Sequence, residues 1–213
     1  MKNVVIFDLD GVLFDSIGLA MASMAVSYPG LTAEMYRELL CGNIYEEMKK
    51  ISLPKLQRTE EEEAERKLLY AKKKLKVPMY PGAKNLLEGL HAEGYTLVLN
   101  SSAYERNVHP LLEKAGIISL FDFLATAEIS KSKVDKFTLI KERYGLTGDD
   151  YLFVTDTLGD VREAEHANIP TVAVTWGAHD RSYFNRLQKS KTLLAVVDTF
   201  DELKNFITVW TTD

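Results

Sequence analysis

Two kinds of apolar pattern alternate along this chain. Val4-Val5-Ile6-Phe7 is an unbroken apolar run too short for a helix, and similar runs recur in YTLVLN, in YLFVT up to Thr155, in TVAVTW and in LLAVV. Short Val- and Leu-rich runs of this kind are strands buried on both faces. Between them apolar residues recur at helical spacing: AKNLLEGLHAEG closed by Gly94, a stretch around Val108 to Lys114, Asp135 to Tyr144, Gly159 to Ala167, and the closing DTFDELKNFITVW. A weaker strand is expected at Phe123 to Ala127. Strands that alternate with helices predict a doubly wound, parallel α/β sheet.

From about Asp15 to Pro78 the pattern is helical throughout. IGLAMASMAVSY, TAEMYRELLCG with a cap at Thr32, and IYEEMKKI are followed by TEEEEAERKLLYAKKKLKV, in which Thr59 and Glu62 have capping-box spacing. The acidic start and lysine-rich end of that last segment suit a helix dipole, and its charge runs read as a solvated face. The expected organisation is a core of residues 1–15 and 79–213, interrupted by an all-helical cap, 16–78, with hinges near Asp15 and near Met79 to Gly82.

Composition narrows the partners. Of 213 residues, 46% are hydrophobic and 27% charged, an ordinary balance for a protein that buries a core. Lys and Arg number 26 against 31 Asp and Glu, a net charge of −5, and no basic block with interleaved aromatics stands out, so nucleic acid is not an expected partner. No stretch approaches the roughly 20 apolar residues of a membrane span. The single cysteine, Cys41, has no internal disulfide partner and no leader pattern is read, so a reducing cytoplasm is the expected location. A monomer or dimer is expected.

In a parallel sheet, ligands gather beyond the carboxyl ends of the strands. There the first strand delivers Asp8 and Asp10, the second Ser101 and Ser102, and the fourth Asp156 with Asp160. Asp8, Asp156 and Asp160 suit a hard cation such as Mg²⁺, which binds through few carboxylates and leaves room for phosphate. Ser101 and a lysine of SKSKVDKF would take the other phosphoryl oxygens, Asp8 would attack phosphorus, and Asp10 would move the protons. Each has a plainer reading: serines cap helices, Asp160 is a first-turn acid, and Lys131, Lys133 and Lys136 are surface lysines until something turns one inward.

Taken together, DLDGVLFDS, LVLNSS and FVTDTLGD resemble the motifs of the haloacid dehalogenase-like phosphohydrolases, in the branch that contains phosphoglycolate phosphatases and β-phosphoglucomutases. The resemblance extends through YPGAKNLLEGLHAEGYTLVLNSS to VVDTFDEL. It implies a Rossmann-like core with a helical cap, Asp8 as nucleophile, Asp10 as general acid/base, and Ser101 with Lys133 or Lys131 on the phosphate. It also implies Mg²⁺ held among Asp8, Asp10, Asp156 and Asp160, and substrate contacts from Ser101, Ser102 and Asn43. Thr155 stands where many relatives have Gly, and Ser132 where they have Pro. Mutase relatives carry a His early in the cap and an Arg beyond its glycine loop; here those places hold Ala20 and Gly42-Asn43-Ile44-Tyr45. The expected activity is hydrolysis of a small phosphorylated metabolite, with phosphomutase and a non-catalytic or switch-like role as alternatives.

Overall fold

In a computed structural model that describes residues 3–145, 147–187 and 189–210, a six-stranded parallel sheet forms the centre. Its strands are β1 (Val4–Phe7), β2 (Thr96–Asn100), β3 (Phe121–Ala125), β4 (Tyr151–Thr155), β5 (Thr171–Val174) and β6 (Leu193–Val197), in the order β3-β2-β1-β4-β5-β6. β1 lies in the middle, with Val4 opposite both Thr96 and Tyr151 and Phe7 opposite both Leu99 and Val154.

The period-2 geometry of a strand divides β1 between two cores. Val5 and Phe7 pack with Leu97, Leu99, Leu152 and Val154, whereas Val4 and Ile6 pack with Val98, Tyr151 and Phe153 on the opposite face. All four β1 side chains are fully buried. At about 1.5–3 kcal/mol for each such side chain, this short strand is among the strongest anchors of the fold.

The helices are α1 (Ile17–Ser27), α2 (Ala33–Leu39), α3 (Ile44–Lys50), α4 (Glu60–Lys74), α5 (Ala83–Ala92), α6 (Glu105–Ala115), α7 (Lys133–Tyr144), α8 (Leu158–His166), α9 (Arg181–Phe184) and α10 (Phe200–Trp210). Thr32 caps α2, and the Thr59/Glu62 capping box opens α4 as the sequence predicts. Three details differ. β3 begins two residues before Phe123, α7 begins at Lys133 because Ser132 caps it by accepting from Asp135 N–H, and α9 is an additional single turn capped by Asp180.

α1 to α4 are inserted between β1 and α5, and the two ends of the insertion run side by side. Asp15 N–H donates to the Pro78 carbonyl at 3.1 Å and Tyr80 N–H to the Leu13 carbonyl at 3.0 Å, so the chain leaves and re-enters the sheet region through one paired ribbon. Among the described residues, no helix is long and apolar enough to cross a membrane.

Candidate active site

Strand order reverses at β1, and the crevice there is where the acidic strand ends meet. Gly11 turns the chain straight after Asp10. Its φ of +80° is one that L side chains rarely adopt, and a Cβ there would collide with the Asp156 carboxylate.

Lys133 is the electrostatic centre. It is 1% exposed, and its Nζ lies 3.0 Å from Asp8 Oδ1, 3.0 Å from Asp160 Oδ2 and 2.8 Å from the Asn100 carbonyl. Burial alone would lower its pKa, but Asp160 and Asp8 outweigh burial and raise it, so the ammonium is retained. One turn along α7, Lys136 is also fully buried and donates to the Ser101 carbonyl at 2.6 Å. Burial, reinforced by the Lys133 charge, pushes it down to about 7.

The carboxylates divide into different environments. Burial raises Asp8 to about 6, with Lys133 opposing. Asp156 is raised well above the carboxylate range, first by burial and then by the neighbouring Asp8 charge; its Oδ2 accepts from Ala178 N–H at 2.7 Å, whereas its buried Oδ1 has no partner. For Asp160 burial is outweighed by Lys133 and by the Thr155 hydroxyl, which donates at 2.7 Å, and its pKa falls. Thr155, the departure from glycine, thus gives Asp160 a fixed donor. Asp10 turns toward the insertion, where its Oδ1 accepts from Ser16 Oγ and pairs with Lys74 Nζ, at the last residue of α4. Lys74 is 1% exposed, and burial lowers it to about 7 against the pull of Asp8.

A cavity of about 230 Å³ opens above these groups, with Asp8, Asp10, Ser101, Ser102 and Asp160 among its lining residues. Of the other expected site residues, Lys133 and Asp156 contact this group without lining the cavity, and Lys131 and Asn43 are placed elsewhere. Lys131 is exposed and sits over the Tyr45 ring, 5.1 Å from its centroid, because α7 starts two residues later and turns Lys133 inward instead. Asn43 is occupied as a clasp: its Nδ2 donates to the Lys131 carbonyl and to Glu163, and its Oδ1 accepts from Tyr45 N–H and Glu46 N–H. Three of the four expected metal-holding carboxylates already have a lysine partner: Asp10 pairs with Lys74, and Asp8 and Asp160 share Lys133. Among the described residues no three His, Cys, Asp or Glu side chains converge as a metal-holding group. Of the four, Asp156 keeps an orphaned buried oxygen, Oδ1, and Asp8 lines the cavity beside it. That pair fits Mg²⁺, which is commonly held by one or two carboxylates, water and the substrate's own phosphate.

The sequence profile of the haloacid dehalogenase-like hydrolases matches residues 5–174, most of the chain and all of the strand ends just described. The chain belongs to this family. The phosphoglycolate phosphatase of Aliivibrio fischeri is 27% identical over 193 residues, covering 82% of this chain and 85% of that protein. Among solved structures, a predicted phosphatase from Clostridium acetobutylicum superposes with a TM-score of 0.74 at 23% identity, covering 98% and 99% of the two chains. CbbY from Rhodobacter sphaeroides, solved with phosphate, gives 0.72 at 19% identity over 95% and 96%. These likenesses show the same α/β fold.

Within this haloacid dehalogenase-like hydrolase, the insertion is fastened over the strand ends by contacts that no motif announces. Gly159 N–H donates to the Leu40 carbonyl at 2.9 Å, and a Cβ on Gly159 would strike the Gly42 carbonyl. Tyr45 Oη donates to the Ser102 carbonyl at 2.7 Å. His179 is fully buried between the two parts: its Nδ1 accepts from Leu158 N–H at 2.9 Å, which leaves Nε2–H to donate to the Arg37 carbonyl at 2.9 Å. Burial lowers its pKa, the Arg37 carbonyl opposing, so the folded protein keeps a neutral imidazole. The unfolded chain takes up a proton near the ordinary value of about 6.5, and stability therefore falls as pH drops below that value. In chemical denaturation across this range, His179→Gln is expected to lower the slope of stability against pH by up to about 1.4 kcal/mol per pH unit. An unchanged slope in the variant would assign the pH dependence elsewhere.

Proposed function

We propose that this protein is a Mg²⁺-dependent phosphatase that hydrolyses a small phosphate monoester through a covalent phosphate on Asp8. The observation that carries this reading is the Asp8–Lys133 pair, a buried carboxylate that lines the cavity and is held 3.0 Å from a buried ammonium. When bound, Mg²⁺ would be held by Asp8 and Asp156 and would neutralise phosphoryl oxygens.

An Asp8 carboxylate oxygen attacks phosphorus, an O–P bond forms, and the ester P–O bond breaks. Asp10 donates a proton to the departing alkoxide. Lys133 and the Ser101 hydroxyl stabilise the charge on the phosphoryl oxygens. Water then attacks the phosphorus, its proton passes to Asp10, and the acyl phosphate bond breaks to restore Asp8. The division into a core of 1–15 and 79–213 and a cap of 16–78 belongs to the same reading, supported by the paired ribbon at Leu13–Asp15 and Pro78–Tyr80. Opening about that ribbon admits the ester, and closure excludes bulk water.

Two measurements test the reading. Chelation of divalent cations is expected to abolish phosphate release and added Mg²⁺ to restore it. Acid quenching during turnover is expected to leave phosphate on the peptide that contains Asp8, sensitive to hydroxylamine as an acyl phosphate is. Phosphate found on Ser101 instead, or activity indifferent to chelation, would sink the mechanism.

A further inference from the structure

Beyond its acidic and serine lining, the cavity has a wall of different chemistry. This wall is formed by Ile17, Ala20, Ile44, Tyr36, Tyr70 and Tyr104, and among the described residues no Lys, Arg or His lines the cavity. The nearby cations are already committed. Lys74 is paired with Asp10, Lys133 with Asp8 and Asp160, and Lys136 with the Ser101 carbonyl. Arg106 and Lys131 lie outside, stacked over Tyr104 and Tyr45. Beside the three buried lysines stand five acidic side chains: Asp8, Asp10, Asp156, Asp160 and Glu163. Glu163 lines the cavity, and its pKa is raised by burial and then by Asp160.

One polar group on this wall lacks a partner. Asn107, from the first turn of α6, the helix after Ser101, lines the cavity, and its Oδ1 is buried without a hydrogen bond. Buried acceptors are rarely left unmatched in folded proteins, and a ligand donor is one of the few explanations for an exception in a cavity. Tyrosine rings beside a lone amide accept a molecule that has a hydrocarbon face and a hydroxyl.

We propose that the leaving group is an uncharged, hydroxyl-bearing alcohol. The substrate is then a polyol-type monophosphate, not a phosphorylated carboxylic acid and not a bisphosphate. The alcohol's hydroxyl donates to Asn107 Oδ1, and its carbon chain lies against the tyrosine rings. A carboxylate or second phosphate placed there would be desolvated beside Glu163 with no counter-cation, and that exclusion is the basis of selection. This proposal rests on the phosphatase reading and sharpens it. It also separates this chain from its phosphoglycolate phosphatase relatives.

Matched esters supply the test. With Mg²⁺, the protein is assayed on 2-hydroxyethyl phosphate against phosphoglycolate, and on glycerol 3-phosphate against 3-phosphoglycerate, pairs that differ in one charged group at nearly constant size. The alcohol of each pair is expected to have at least a tenfold higher kcat/KM. Equal or better use of the carboxylates overturns the proposal. p-Nitrophenyl phosphate, whose activated leaving group makes little demand on the wall, keeps the two readings apart. Its hydrolysis together with indifference to charge refutes the leaving-group inference alone, whereas no hydrolysis of any ester refutes the phosphatase reading and this inference with it. Wild type is also expected to favour 2-hydroxyethyl phosphate over ethyl phosphate about fivefold, and Asn107→Ala to bring that ratio near one. An unchanged ratio removes Asn107 from the subsite. Ile44→Lys supplies the missing cation and is expected to shift each alcohol-to-acid ratio about tenfold toward the acid; no shift would mean that charge is not the basis of selection.

Discussion

Asp8→Asn is expected to abolish phosphate release while making the protein harder to unfold. The amide keeps the shape of the carboxylate but is a far weaker nucleophile, and a loss of at least about 10³ in kcat is the expected scale for removing a covalent catalyst. The stability gain has a separate cause. Burial raises Asp8 to about 6, so at neutral pH the folded state holds an ionised group that burial disfavours relative to the unfolded chain. A raised carboxylate loses stability as pH climbs from its ordinary value of about 4 to its folded value, and the full penalty stands above that. In chelated buffer at neutral pH the variant should therefore gain about 1–3 kcal/mol against urea, a gain that vanishes below about pH 4. Residual turnover near wild type, or a variant less stable than wild type, would contradict this account of the pair.

Lys133→Met is expected to do the reverse. Methionine fills a similar volume, so the cavity term is small, but Asp8 and Asp160 lose the cation they share at 3.0 Å. Breaking a buried pair from one side costs about 3–5 kcal/mol, because the remaining charge is uncompensated. The loss in urea midpoint should be largest at neutral pH and shrink under mild acid, as the two carboxylates protonate. Phosphate release should fall about 10²–10³-fold even where the variant is folded, since charge on the transferring phosphoryl group loses its donor. A loss that is independent of pH would point to packing instead.

Much of this arrangement was legible in the sequence because local chemistry and the global fold agree there. Val4–Phe7 reads as a strand buried on both faces and is one, and the following Asp8, Asp10 and Gly11 announce a turn that projects acids. The Thr59/Glu62 box fixes the start of α4 from four residues alone. What stayed hidden depends on neighbours far along the chain. Lys74 belongs to a lysine-rich helix end that the dipole already explains, and only its contact with Asp10, 64 residues away, distinguishes it from Lys72 and Lys73. Lys136 carried a fainter signal, since it lies one helical turn from Lys133 and hence on the same face. The choice between Lys131 and Lys133 turned on where α7 begins, and helix ends are the least certain feature of a sequence reading. Asn43 has a side chain suited to ligands, but backbone groups and Glu163 occupy both of its ends. For His179 no sequence pattern points to the Arg37 carbonyl.

The two partners of Asp10 give the insertion an unexpected boundary. Ser16 lies just before α1 and Lys74 closes α4, so both ends of the inserted segment touch the residue assigned to proton transfer. Anyone exchanging this segment for that of a relative, to graft a new specificity onto the same sheet, should splice inside residues 17–73. A transplant cut at the ribbon itself would carry away the ammonium and the hydroxyl that orient Asp10, and the hybrid would recognise its new ester yet transfer protons poorly.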